Sequence, residues 1–263
     1  QGIIEGSFIE MSRRSVSSII QKGGTILKSA RCLEFKTKEG RQAAYDNIKS
    51  QGIDALVAIG GDGTFTGANL FSQEFDIPVM CIPGTIDNDL YGTDYTLGYD
   101  TANNTVIEAI DKIRDTASSH SRVFFVEVMG RDSGCIALNA GVGGGAESIL
   151  LPEVNSGIDT LIEELELAEA RQKTSMIVII AEGDKNGGAY NVAKIVKDKI
   201  NHLDIKVSIL GHLQRGGSPS SFDRVLATRM GYAAVNELIK GNSRATVGMR
   251  GTKMVITPLE EAL

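Results

Sequence analysis

The sequence predicts an α/β protein with mostly parallel sheets covered by helices on both faces. Three observations carry that expectation. Short, near-continuous apolar runs alternate with helical stretches, as strands do when crossover helices bury both their faces. Five of these runs end in loops rich in Gly and in Asp, Glu, His or Arg. In open α/β sheets such loops lie at the carboxyl edge, where ligands bind; five on one edge read as a site. The chain has 263 residues, 42% of them hydrophobic, enough for one large α/β domain or two modest ones.

The runs are Ala55–Ile59, Val79–Ile82, Val123–Val128, Ile149–Leu151, Met176–Ala181 and Val207–Leu210. Helices are expected at 41–51, 104–118, 158–172, 191–201 and 224–240. The second carries Val106, Ala109, Ile110 and Ile113 on one face, and the third Ile158, Leu161, Ile162, Leu165 and Ala168. No repeat, linker or low-complexity stretch stands out, and composition alone shows no domain boundary.

Formal net charge is −6. No Lys/Arg cluster exceeds two residues, which argues against nucleic acid. Three scattered cysteines, Cys32, Cys81 and Cys135, argue for a reducing cytosol rather than a disulfide framework. Cys81, inside an apolar run, reads as a small buried hydrophobe. No apolar stretch approaches the roughly 18 residues of a membrane span. The start, Gln1–Glu5, has no signal-peptide pattern and no Met. Thirty glycines against five prolines point to tight turns or to places where backbone approaches a ligand.

Gly60-Gly61-Asp62-Gly63-Thr64 follows an apolar run and opens a helical pattern. Its glycines let backbone N–H groups approach phosphate oxygens at a helix N-terminus. Asp62 is unsuited to phosphate itself but suited to a Mg²⁺ bridging to it; the plainer reading is a tight strand–helix turn with an Asp cap. Pro83-Gly84-Thr85-Ile86-Asp87-Asn88-Asp89 places two carboxylates two residues apart, on one side if the loop is extended. One suits a general base and the other metal support; an Asx-turn is equally open. Met129-Gly130-Arg131 sets a guanidinium past a strand end, for transition-state charge or a surface salt bridge. Gly211-His212-Leu213-Gln214-Arg215-Gly216-Gly217 reads as an anion site. His202 reads as surface, and His120 as a cap or turn residue.

In order along the chain, these four loops resemble the 6-phosphofructokinase family, in its bacterial, ATP-dependent form. The similarity runs from about Gln1 to Leu263. The Pro-Gly-Thr-Ile-Asp-Asn-Asp and Gly-His-Leu-Gln-Arg-Gly-Gly strings are its most specific parts. The resemblance implies MgATP and fructose 6-phosphate as substrates, and fructose 1,6-bisphosphate and ADP as products. It implies Asp87 as base and Thr85 as a further catalytic residue, with Thr85, Ile86 and Asp87 lining the sugar. Arg131 would stabilise the transferring group beside Met129 and Gly130. Glu182 would bind sugar hydroxyls, and His212, Leu213, Gln214 and Arg215 would form the 6-phosphate loop. Arg122 would reach that phosphate from a neighbouring subunit, as would Lys206, which stands where the family usually has Arg and lacks its bidentate fork. Arg31, Cys32, Gly61, Asp62, Gly63 and Thr64 would hold ATP, with Asp62 on magnesium. Glycine at 63 and 84, where pyrophosphate-using relatives tend to carry Asp and Lys, favours ATP.

Further implications are an effector pocket from Arg114, Gly145, Glu147, Arg171 and Lys173, a cytoplasmic homotetramer with shared active sites, and domains at 1–98 plus 214–263 and at 99–213. An ordinary charged interface is the alternative for the effector residues. Against the family pattern, a first strand and Gly-rich ATP loop, on the order of 40 residues by the size of a βαβ unit, is expected to be missing. Two other functions stay open here: an impaired or regulatory nucleotide- or sugar-phosphate-binding subunit, and another kinase of the Gly-Gly-Asp-Gly-Thr type.

Overall fold

A computed structural model describes residues 1–118, 122–154 and 157–263. The order is α1 (Lys38–Ser50), β1 (Leu56–Gly60), α2 (Asp62–Phe75), β2 (Val79–Pro83), α3 (Tyr99–Ser118), β3 (Arg122–Val128), α4 (Cys135–Gly143), β4 (Ser148–Leu150), α5 (Ile158–Ala170), β5 (Ser175–Ala181), α6 (Gly188–Lys199), β6 (Ile205–Ile209), α7 (Ser221–Ile239), β7 (Ala245–Arg250), β8 (Lys253–Pro258) and α8 (Leu259–Ala262). Short 3-10 turns occupy Glu34–Lys36 and Gly211–Arg215.

The chain forms two compact units. The first comprises Gln1–Thr85, Leu90–Leu97 and Ser221–Leu263; the second comprises Ile86–Asp89 and Gly98–Ser220. Gln214–Ser220, and with it Arg215, therefore belongs to the second unit.

The first unit holds a sheet ordered β1-β2-β7-β8. β1, β2 and β7 run parallel, and β8 returns antiparallel to β7. On one face Met80, Ile82, Val247 and Met249 pack against Leu226, Met230 and Ala234 of α7. On the other, Val79 and Cys81 meet Phe65 of α2 and Leu259 of α8. β1 departs from expectation: Val57 is 38% and Ile59 53% exposed, so one face of this strand carries no helix. Arg41 is buried, and its guanidinium pairs bidentately with Glu74 at 2.5 and 2.7 Å. It also donates to the carbonyls of Phe35 and Lys36. One side chain thus ties α1, α2 and the first 3-10 turn, and its hydrogen bond holds Glu74 below the usual carboxylate range.

The second unit holds a wholly parallel sheet ordered β4-β5-β3-β6. β3 and β5 are central, and their side chains are buried on both faces. Phe124 and Val126 face α3 and α4, while Val123 and Phe125 face α5 and α6. This is the doubly covered parallel sheet that uninterrupted apolar runs require.

The polar loops accordingly do not share one edge. Those after β1 and β2 start from the first sheet, and those after β3, β5 and β6 from the second. The loop after β2 crosses between units at the Thr85–Ile86 bond. His120, read from the sequence as a cap or turn residue, lies outside the described residues.

Candidate active site

In the first unit, β1 ends at Gly60 and α2 begins at Asp62, with Gly61 as N-cap. A Cβ at Gly60 would sit 2.3 Å from Thr64 Oγ1, so the turn accepts only glycine there. Gly61 O accepts from the N–H of Thr64 at 2.9 Å and of Phe65 at 3.1 Å. Gly84 N–H, past the end of β2, donates to Gly60 O at 2.9 Å, and a Cβ at Gly61 would lie 3.6 Å from Thr85 Cβ. The two loops therefore lie side by side. Asp62, Gly63 and Thr64 are exposed, and a Cβ at Gly63 would meet nothing within 4 Å. A helix N-terminus with free space beside it suits an anion by geometry and dipole. Arg31 is exposed and Cys32 half-buried. They precede Phe35, which packs against Gly67 of α2.

In the second unit, Asp87 is 8% exposed and its Oδ2 lies 3.9 Å from Arg131 Nη2. Burial raises its pKa above the ordinary carboxylate value. Asp89 and Glu182 push it the same way, and Arg131 and Arg215 oppose them. Asn88 between the two aspartates sits at φ 53°, so the segment turns rather than extends. Asp89 is exposed while Asp87 is buried, which corrects the expectation that both face one way.

The Arg131 turn is held at every backbone donor. Met129 N–H donates to Gln214 Oε1 at 3.1 Å. Gly130 and Arg131 N–H both donate to Glu182 Oε1, at 3.2 and 2.7 Å. Gly130 at φ 147° and Arg131 at φ 53° occupy conformations that need such support. A Cβ at Gly130 would fall 2.3 Å from Ser133 O, and one at Gly183 would fall 2.1 Å from Arg131 O. His212, Leu213 and Arg215 are exposed on the 3-10 turn after β6. Gln214 is not: it is 1% exposed, and its Nε2 donates to Gly211 O at 3.0 Å.

Arg122 and Lys206 are joined by a residue the sequence reading missed. Asp204 accepts from Arg122 Nε at 2.9 Å and pairs with Lys206 Nζ at 2.8 Å. Its pKa is held low, chiefly by the Lys206 hydrogen bond. Arg114 Nη2 donates to the carbonyls of Gly144 and Gly145. The Glu147 side chain, 4% exposed, accepts from Lys173 Nζ at 2.7 Å and from Ile177 N–H at 2.6 Å. Arg171 is exposed at the end of α5, and among the described residues its side chain makes no hydrogen bond. His202 is exposed against Glu169, as a surface residue should be. Among the described residues no group of three or more His, Cys, Asp or Glu could hold a metal, and no helix is long and apolar enough to cross a membrane.

The glycine turn at a helix N-terminus in the first unit suits a phosphate, and the buried carboxylate beside a braced arginine in the second suits general-base chemistry; each fits a phosphotransferase of the α/β class. The chain belongs to the phosphofructokinase family, whose model matches residues 1–238. It is 52% identical over 263 residues to ATP-dependent 6-phosphofructokinase 2 of Bacteroides thetaiotaomicron, covering 100% of this chain and 81% of that protein. Phosphofructokinase from Saccharomyces cerevisiae superposes with a TM-score of 0.94 at 35% identity, over 99% of this chain. This chain spans only 40% of that yeast chain. A pyrophosphate-dependent phosphofructokinase from Marinobacter aquaeolei has the same fold, with a TM-score of 0.81 at 24% identity, over 95% of this chain and 69% of that one.

Proposed function

We propose that this chain transfers the terminal phosphoryl group of ATP to the 1-hydroxyl of fructose 6-phosphate, giving fructose 1,6-bisphosphate and ADP. The observation that carries the reading is Asp87, buried at 8% exposure with a raised pKa and an arginine 3.9 Å away. A base for a sugar hydroxyl must be ionised at working pH yet basic enough to take the proton, and a raised carboxylate meets both needs.

Asp87 takes the proton of the 1-hydroxyl, the sugar oxygen bonds to the γ-phosphorus, and the bond to the ADP oxygen breaks. Arg131 spreads the charge on the transferring oxygens. Thr85 and Ile86 line the sugar beside Asp87, and Met129 and Gly130 flank Arg131. Glu182 meets sugar hydroxyls with its exposed carboxylate. His212, Leu213, Gln214 and Arg215 form the loop for the 6-phosphate, and Arg122 and Lys206 serve the same phosphate on a neighbouring subunit of a homotetramer. ATP lies on Gly61, Asp62, Gly63 and Thr64, with Arg31 and Cys32 at the nucleotide. The open space at Gly63 favours ATP over pyrophosphate.

A lone exposed carboxylate at Asp62 fits Mg²⁺, which is held by one or two carboxylates together with substrate phosphates. The ion, when bound, neutralises charge between the donor phosphates. Arg114, Gly145, Glu147, Arg171 and Lys173 are assigned to an effector anion. The compartment is the cytoplasm.

A coupled assay with ATP and fructose 6-phosphate tests the activity. Asp87→Ser should lower kcat by roughly 100- to 10,000-fold while fructose 6-phosphate still binds. Loss of binding with turnover otherwise intact would remove Asp87 from the role of base.

A further inference from the structure

We infer that Gln214 is a positioning residue for phosphoryl transfer: its buried amide couples the placement of Arg131 to that of His212 and Arg215. The inference rests on the reading that Arg131 serves the transferring group and the His212 loop serves the sugar phosphate.

The geometry is specific. Gln214 is 1% exposed. Its Oε1 accepts from Met129 N–H at 3.1 Å, two residues before Arg131, and its Nε2 donates to Gly211 O at 3.0 Å, one residue before His212. A neutral amide supplies an acceptor and a donor on two separate atoms of one side-chain tip, at any pH. Without it, a buried N–H and a carbonyl lose their partners together. Glu182 holds the next two amides, of Gly130 and Arg131, from the other side. The Met129–Arg131 turn is thus clamped between the loops after β5 and β6. Gly130 at φ 147° and Arg131 at φ 53° are the conformations such a clamp must impose. Movement of either loop is transmitted to the arginine through two hydrogen bonds on one side chain.

Two variants test this. Gln214→Met keeps the volume and removes both hydrogen bonds. Misplacement on the order of 1 Å costs about 100-fold in rate, and kcat should fall by about that factor, with the KM for ATP unchanged and folding preserved by near-ultraviolet circular dichroism. In an Arg131→Ala background the same change should cost less than about threefold, because the residue it positions is gone. Gln214→Glu offers a readout that packing alone would not move. Its protonated carboxyl can accept from Met129 N–H and donate to Gly211 O, whereas its carboxylate cannot donate. Burial favours the protonated form, so kcat relative to wild type at each pH should rise as pH falls.

Equal losses from Gln214→Met with and without Arg131, or a Gln214→Glu ratio flat with pH, would leave Gln214 as packing only and overturn the proposal. A wild-type chain without transfer activity would overturn the functional reading and the proposal with it, and is distinguished by being seen before any substitution is made.

Discussion

Gly183→Ala should damage catalysis from a position that needs no substrate contact. Gly183 is not in the left-handed region, so alanine is locally allowed. The obstacle is steric: its Cβ would lie 2.1 Å from Arg131 O, 3.1 Å from Arg131 C and 3.4 Å from Asp132 Cα. An ordinary contact begins near 3.4 Å, so the loop after β5 and the Arg131 turn must part by about 1.3 Å. Backbone is being displaced, not the end of a flexible side chain. Glu182, the residue before it, holds the Gly130 and Arg131 amides and would be dragged from them. A shift of that size costs about 100-fold in kcat, or about 2.7 kcal/mol of barrier. Overpacking should lower stability by about 1–3 kcal/mol as well. Steady-state kinetics with both substrates, alongside thermal unfolding, measures both. Gly231→Ala in α7 is the control, since a Cβ there meets nothing within 4 Å. If Gly183→Ala turns over within about threefold of wild type, the Arg131 turn does not need its observed geometry and the positioning argument fails.

Two further predictions concern buried ionisable groups. Asp87→Asn should abolish turnover yet raise the melting temperature at neutral pH. The folded pKa of Asp87 lies above its ordinary 3.8, burial being the main cause, so its ionised form opposes folding. The gain should be present above the raised pKa and vanish as pH falls through it toward 3.8; an unchanged or lower melting temperature at neutral pH would contradict the assigned burial cost. Cys81 is fully buried, and its thiol is pushed up to about 12, so about one in ten thousand is thiolate at pH 8. It should resist alkylation until the protein unfolds, while Cys32 and Cys135 react first, as peptide mass mapping would reveal.

What the sequence disclosed and what it hid divide on physical grounds. β3 and β5 were legible because a strand buried on both faces is apolar along its buried stretch, as residues 123–126 and 176–181 are. The β7–β8 hairpin was not. Its strands, Ala-Thr-Val-Gly-Met-Arg and Lys-Met-Val-Ile-Thr-Pro, mix polar and apolar residues because β8 is half-exposed at the sheet edge. The two-residue Gly251–Thr252 connection, with Gly251 at φ 57°, was the missed signal. Two separate sheets could not be told from one, because apolar periodicity records burial and not partner. The loop strings named the chemistry, but they could not say which way a side chain points. Gln214 sits between exposed Leu213 and Arg215 and turns inward, toward Met129, which is distant in sequence, and Gly211 of its own turn. Asp204 was likewise silent, since only the fold brings Arg122 to it.

The charges around Asp87 would make the proposed base responsive to the acceptor. Burial, Asp89 and Glu182 raise its pKa, and Arg131 and Arg215 lower it. Arg215 is also assigned to the 6-phosphate. When a phosphate dianion takes that guanidinium, the cation's pull on Asp87 is partly cancelled and the dianion's own field adds to that of the carboxylates. Both changes favour protonated Asp87, so its pKa must rise on binding. The free enzyme reports its base through kcat/KM and the complex reports it through kcat. The acid limb of kcat should therefore lie at higher pH than that of kcat/KM for fructose 6-phosphate. The separation should narrow at high salt in proportion to the exposure of Arg215. Coincident limbs, or a kcat limb at lower pH, would mean that the bound phosphate lies elsewhere or that Asp87 is not the group titrating. On the proposed assignment, binding of the acceptor and readiness of the base would be one electrostatic event: an anion recruited by Arg215 would make Asp87 more willing to take the hydroxyl proton.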